Sequence, residues 1–173
     1  MGLEIERKFL VRDDSYKALA ASHSRIVQGY ICHEKGRTVR VRLRGEQAFL
    51  TIKGPSRGGG LTRYEFEKEL TPDEGLSLLA LCHGGVVEKV RWLVPTPDGH
   101  TVEVDEFHGL NEGLTMAEIE LGSEDEPFLR PDFLGEEVTG DRRYYNSQLL
   151  LHPYTLWEQD GTYPIEKEKP VRR

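Results

Sequence analysis

Cysteine is nearly absent from this sequence, and long apolar runs are missing altogether. Only Cys32 and Cys82 occur in 173 residues, too few for the stapled framework of a small secreted domain, so both are expected as reduced, buried thiols. Each is followed by histidine, as Cys32-His33 and Cys82-His83, but ligands on adjacent residues lack the spacing of a zinc finger. Nowhere do about 18 apolar residues follow one another, the length a membrane-crossing helix needs. The opening MGLEIERKFLV has no basic stretch leading into an apolar one, and Glu6 does not fit a myristoylation signal. A cytoplasmic location with no membrane partner is the expectation. Net positive charge is lacking too: 23 Lys and Arg against 30 Asp and Glu give −7, which argues against nonspecific nucleic-acid binding. An anionic ligand therefore needs cations gathered in one place.

What is present is alternation. Apolar and polar residues alternate through eight segments, 3–12, 25–34, 37–45, 48–54, 62–70, 86–95, 100–107 and 115–122, the period of half-buried strands. Helices are predicted over Ser15–Ala21, Pro72–Cys82, Asp132–Glu137 and Asp141–Leu151, with Thr71 as cap and Pro72 in the first helical position of the second. Gly54–Gly60 reads as a mobile loop; it lacks the GK[ST] ending of a phosphate-binding loop. Residues 1–150 form one domain on this reading, and 151–173 a tail that straps the surface or frays.

Alternate strand residues share a face, so parity shows which charges converge. Glu4, Glu6 and Lys8 stand opposite Leu3, Ile5 and Phe9, with Arg7 the exception on the apolar side. Arg40, Arg42 and Arg44 share a face, as do Thr51 and Lys53, Glu65, Glu67 and Glu69, Lys89 and Arg91, Glu103 and Asp105, and Glu118 and Glu120. A sheet with one wet face gives the same alternation. Sorting by sign argues against that: several strands carry only carboxylates or only cations. The apolar faces need cover, which the helices can supply. Eight strands make a barrel that encloses one small ligand. The fold class expected is α+β: an eight-stranded antiparallel β-barrel, or tunnel, with a charged interior and helices packed outside. Carboxylates offer hard oxygens to Mg²⁺ or Mn²⁺, and arginine and lysine meet phosphate oxygens. A metal-chelated polyphosphate satisfies both.

Glu4-Ile5-Glu6-Arg7-Lys8 has the ExExK form that opens the CYTH family, the triphosphate tunnel metalloenzymes. It is followed in order by Val39-Arg40-Val41-Arg42, Thr51-Ile52-Lys53-Gly54, Tyr64-Glu65-Phe66-Glu67, Lys89-Val90-Arg91, Val102-Glu103-Val104-Asp105, Ala117-Glu118-Ile119-Glu120 and a closing VTGDRRYYNS over 138–147. The sequence resembles that family over residues 2–150, and its inorganic triphosphatase branch most. The resemblance implies phosphate contacts from Lys8, Arg40, Arg42, Lys53, Lys89, Arg91 and Arg143. It implies a metal side of Glu4, Glu6, Glu118 and Glu120 holding Mg²⁺ or Mn²⁺, with Glu103 and Asp105 beside them. Glu65 and Glu67 are candidates to support catalysis, as is Lys8 in a role shared with Tyr30, though a plain phosphate ligand and a packing aromatic are the simpler readings of that pair. The implied activity is metal-dependent hydrolysis of a linear triphosphate. A cyclase or nucleotidase acting on ATP, a thiamine triphosphatase and a non-catalytic polyphosphate-binding module stand as alternatives, and a homodimer is compatible with the sequence.

Overall fold

In the computed structural model, which describes residues 2–157, the eight alternating segments form eight strands: β1 (Gly2–Val11), β2 (Ser22–Glu34), β3 (Arg37–Arg44), β4 (Gln47–Arg57), β5 (Thr62–Leu70), β6 (His83–Pro95), β7 (Thr101–Phe107) and β8 (Thr115–Glu120). They pair antiparallel in the order β5-β4-β3-β2-β6-β7-β8-β1, and β1 closes the barrel by pairing Gly2–Ile5 with Thr62–Glu65 of β5. The expected closed barrel is the observed one.

Among the described residues three helices lie outside it: α1 (Tyr16–Leu19), α2 (Pro72–Leu79) and α3 (Asn146–Leu151). The start of α2 is a full capping box, with the Thr71 hydroxyl accepting from the Glu74 amide and the Glu74 carboxylate accepting from the Thr71 amide. Gly75 lets this helix lie directly on the barrel, because a Cβ there would collide with Ala48 and Leu43. The apolar core sits outside the barrel wall. Phe9, Val102, Val104, Ala117 and Ile119 of the strands pack under Tyr16, Phe133 and Leu134, and Val87, Phe107 and Met116 pack under Tyr144, Leu149 and Trp157.

Three expectations are corrected. Asp132–Glu137 is not helical: Leu134–Glu137 forms a short strand, β9, on β1 opposite Phe9 and Val11. β5 pairs only with the first residues of β1, so the rest of that edge is free to take β9, whose Glu137 accepts from the out-of-place Arg7 at 2.6 and 2.8 Å. Gly54–Gly60 is not a free loop, since β4 runs to Arg57 past a register shift between Lys53 and Ser56. Pro55 lies in that irregularity, where a strand tolerates a missing N–H. Asp141–Leu151 is broken in two, a 3-10 turn over Arg142–Tyr144 and then α3, because Tyr145 between them is extended. Of the expected tail, Trp157 is buried against Tyr144 and Tyr154; residues 158–173 lie outside the described ones. Cys32 and Cys82 are free thiols, as expected, but both are half-buried and not in the core. Among the described residues no helix is long and apolar enough to cross a membrane.

Candidate active site

Most of the charged side chains point inward, around a cavity of about 200 Å³, while the exposed Glu69 stands outside its lining. Strand order adds what parity could not show. Cations sit on β4, β3 and β6, with β2 between the last two, whereas β7, β8, β1 and β5 carry the carboxylates, so the barrel has a cationic arc and an acidic arc. Lys8 on β1 and Arg63 on β5 are the cations set into the acidic arc.

Lys8, Arg40, Arg42, Lys53, Lys89 and Arg91 are all buried, and all line the cavity. Burial of a charge is costly unless it is paired, and most of them are. Lys53 Nζ donates to both Glu4 oxygens at 3.0 and 3.2 Å and lies 3.7 Å from Glu65. Lys8 Nζ is 3.3 Å from Glu118. Lys89 reaches Asp105 at 2.7 Å, and Arg91 reaches Glu103 at 3.1 Å and Glu118 at 3.7 Å besides a two-pronged bond to Asp105. The exceptions are Arg40 and Arg42. The buried Arg40 Nε has no hydrogen-bond partner among the described residues, and its only carboxylate, Glu67, is 3.8 Å away. Among the described residues no carboxylate pairs with Arg42, whose Nε donates to the neutral Gln28 amide at 3.1 Å. Burial, Arg40 and Arg91 together pull Arg42 down to about 9, and burial, with Arg91 and Arg42, pulls Lys89 down to about 7 against the pull of Asp105. This part of the wall is short of negative charge.

The acidic arc has the opposite deficit. Burial, Glu118 and Glu4 hold Glu6 up to about 8, and burial with Glu4 raises both Glu65 and Glu120. Glu118 goes the other way, because Lys8 and Arg91 outweigh its burial and bring it to about 2. Glu4, Glu6, Glu103, Glu118 and Glu120 line the cavity. Among the described residues no three His, Cys, Asp or Glu side chains converge into a ready-made metal cage, and Cys32, His33, Cys82 and His83 do not assemble into one. Mg²⁺ and similar ions need only one or two carboxylates, keeping water and substrate phosphate for the rest. The donor set suits such an ion, and the proton affinity of Glu6 marks where negative charge is in excess.

Two predicted site residues are placed elsewhere. Asp105 does not line the cavity; it is buried behind Lys89 and Arg91 and spent on both. Arg143 does not line it either, its guanidinium being held by Asp141 at 2.6–3.2 Å and lying over Tyr144 and Trp157. Tyr30 is in the lining, with its hydroxyl accepting from Gln28 at 3.2 Å, and so are Glu65 and Glu67. Several lining residues escaped the sequence reading. Arg63 has the parity of Glu65 and lies 3.8 Å from Glu4. Thr139, Gly140, Tyr145, Asn146 and Ser147 come from the VTGDRRYYNS stretch, whose residues give no local sign of the path that brings them to the cavity.

Comparison with known proteins agrees with this geometry. The CYTH domain matches residues 2–146. The inorganic triphosphatase of Acetivibrio thermocellus is 48% identical over 160 residues, covering 92% of this chain and all of the relative. That of Nitrosomonas europaea is 38% identical over 151 residues, covering 86% and 97%. A solved structure described as an inorganic triphosphatase superposes with a TM-score of 0.59 at 33% identity, covering 86% of this chain and 94% of that one. With the barrel, its two charged arcs and these matches in hand, the chain belongs to the CYTH family.

Proposed function

We propose that the chain is a hydrolase of phosphoanhydride bonds, a triphosphatase that takes inorganic tripolyphosphate into the barrel and cleaves it to diphosphate and phosphate with Mg²⁺ or Mn²⁺. The observation that carries this reading is the uncompensated pair Arg40 and Arg42, buried guanidiniums that face the cavity without a full complement of acceptors. Phosphate oxygens supply what they lack, and planar guanidiniums meet them in two-pronged contacts. Lys8, Lys53, Lys89 and Arg91, already paired to carboxylates, give the chain of phosphates a fixed track and hold charge on the leaving diphosphate. A divalent ion on the acidic arc, held by Glu6 with Glu118 or Glu120, would neutralise phosphate charge and acidify bound water. Glu65, raised by its surroundings and held only loosely by Lys53 at 3.7 Å, has the position and proton affinity to orient a water for in-line attack.

Phosphate release from tripolyphosphate, followed in Glu4→Gln, Glu6→Gln, Glu118→Gln and Glu120→Gln beside the unaltered protein, tests the reading. Loss of metal-dependent turnover with an unchanged circular dichroism spectrum is expected for the acidic-arc variants. Full turnover in all four overturns the assignment of the acidic arc to metal.

A further inference from the structure

Two side-chain amides, Gln28 of β2 and Asn146 of α3, form a chain whose orientation is dictated by donors. Arg42 Nε can only donate, and it lies 3.1 Å from Gln28, so the Gln28 carbonyl oxygen must face it. That turns Gln28 Nε2 the other way, where it donates to the Tyr30 hydroxyl and to Asn146, each at 3.2 Å. Asn146 must therefore present its own oxygen. Lys89 Nζ makes the same demand independently, donating to that Oδ1 at 2.9 Å. Gln28 is fully buried, which leaves no water to relax the arrangement.

The consequence falls on the other half of the Asn146 amide. With Oδ1 shared by Lys89 and Gln28, Nδ2 makes no hydrogen bond to any described residue, while Asn146 itself lines the cavity. Asn146 is the first residue of α3, and its place is fixed because Tyr144 and Leu149 on either side are fully buried. We infer that Asn146 is a substrate-binding residue: its Nδ2 donates to an oxygen of the phosphate lying nearest Lys89, a neutral donor added to the cations. This rests on the reading of the cavity as a triphosphate site, and it extends that reading to the segment over 138–147 that contributes to the lining.

Asn146→Asp and Asn146→Ala separate this role from a structural one. Aspartate keeps an acceptor for Lys89 and Gln28 but replaces the donor with a carboxylate; alanine removes both. The KM for tripolyphosphate with Mn²⁺ and the rise in melting temperature caused by tripolyphosphate are measured for each. Asn146→Asp is expected to raise KM on the order of tenfold to a hundredfold, the worth of a hydrogen bond to a charged group, with melting of the free protein unchanged. If only the positioning of Lys89 matters, Asn146→Ala raises KM and Asn146→Asp does not, and the inference is overturned. Should Asn146→Asp lower the melting temperature of the free protein, Asn146→Ser, which keeps a hydroxyl able to accept and donate, must retain more affinity than Asn146→Ala, and equal loss in both overturns it as well. An unaltered protein that neither turns over nor is stabilised by tripolyphosphate would overturn the triphosphatase reading itself, a result distinct from wild-type affinity in Asn146→Asp.

Discussion

Arg91 and Asp105 are direct partners across the β6–β7 ladder, and their side chains meet in a two-pronged ion pair of 2.7 and 2.8 Å. The pair is buried, and Asp105 also holds Lys89 at 2.7 Å. Asp105 thus serves the cations of the cavity without touching it. Removing one member of a buried pair strands the other's charge, at a cost of roughly 3–5 kcal/mol. Asp105→Asn is expected to lower unfolding free energy by about that much, and added tripolyphosphate should recover a larger share of stability than in the unaltered protein. A loss below about 1 kcal/mol in urea titration, the worth of an exposed pair, would show that Asp105 is not the counter-charge.

Arg42 is the reverse case, a buried cation with no carboxylate paired to it among the described residues, pulled down to about 9 by burial and by Arg40 and Arg91. Its charge works against the free protein. Arg42→Met relieves a buried charge but leaves the Gln28 carbonyl without its donor, so it is expected to change the stability of the free protein by no more than about 1–3 kcal/mol while abolishing most of the stabilisation by tripolyphosphate. Melting scans with and without the anion decide it; equal stabilisation in both proteins would remove Arg42 from the phosphate track.

The pH dependence expected of Glu6 follows from its sign. Its folded value, about 8, lies above the ordinary 4.5, so the folded state binds the proton more tightly and stability falls as pH rises between those values. Glu6→Gln should therefore melt higher than the unaltered metal-free protein at pH 9 and equally at pH 4. A divalent ion must displace that proton, so metal affinity should rise with pH up to about 8 in the unaltered protein and lose that dependence in the variant. Calorimetric titration of Mn²⁺ across this range makes the comparison, and a flat profile in the unaltered protein would contradict it.

Gly60 and Gly140 hold the β4–β5 hairpin against the segment over 138–147. Both have positive φ, 96° and 82°, and a Cβ on either would run into the backbone of the other strand of chain, at Gly140 and at Gly59 respectively. Gly140→Ala combines backbone strain of order 1–3 kcal/mol with displacement of the hairpin. It should destabilise the fold and raise the KM for tripolyphosphate, because Arg63, Thr139 and Tyr145 line the cavity from these two segments. Unchanged melting and kinetics would mean the contact is dispensable.

Much of this was legible from strand parity. The eight strands, the inward set of charges and the helix cap at Thr71 follow from period-2 alternation and local capping chemistry. Parity is silent on which strands become neighbours, and that decided the rest. Asp105 carries the inward parity of Glu103, yet its position opposite Arg91 takes it out of the cavity wall. Leu134–Glu137 becomes a strand only because β1 outruns β5, which no local pattern in those residues announces. Arg143 has the right motif neighbours, but the extended Tyr145 turns the chain so that Tyr145 and Asn146, and not Arg143, enter the cavity. Gln28 stands in β2, which lacks the row of like charges that marks the other strands, and its part emerges only from the bonds it makes with Arg42 and Asn146.

The most direct measurement is phosphate release by the unaltered protein from tripolyphosphate, ATP and thiamine triphosphate, each with Mg²⁺, Mn²⁺ or a chelator. The account predicts metal-dependent turnover of tripolyphosphate well above that of the two organic triphosphates, with none in chelator. Turnover of ATP in preference to tripolyphosphate, or no release from any of the three with either metal, would contradict it.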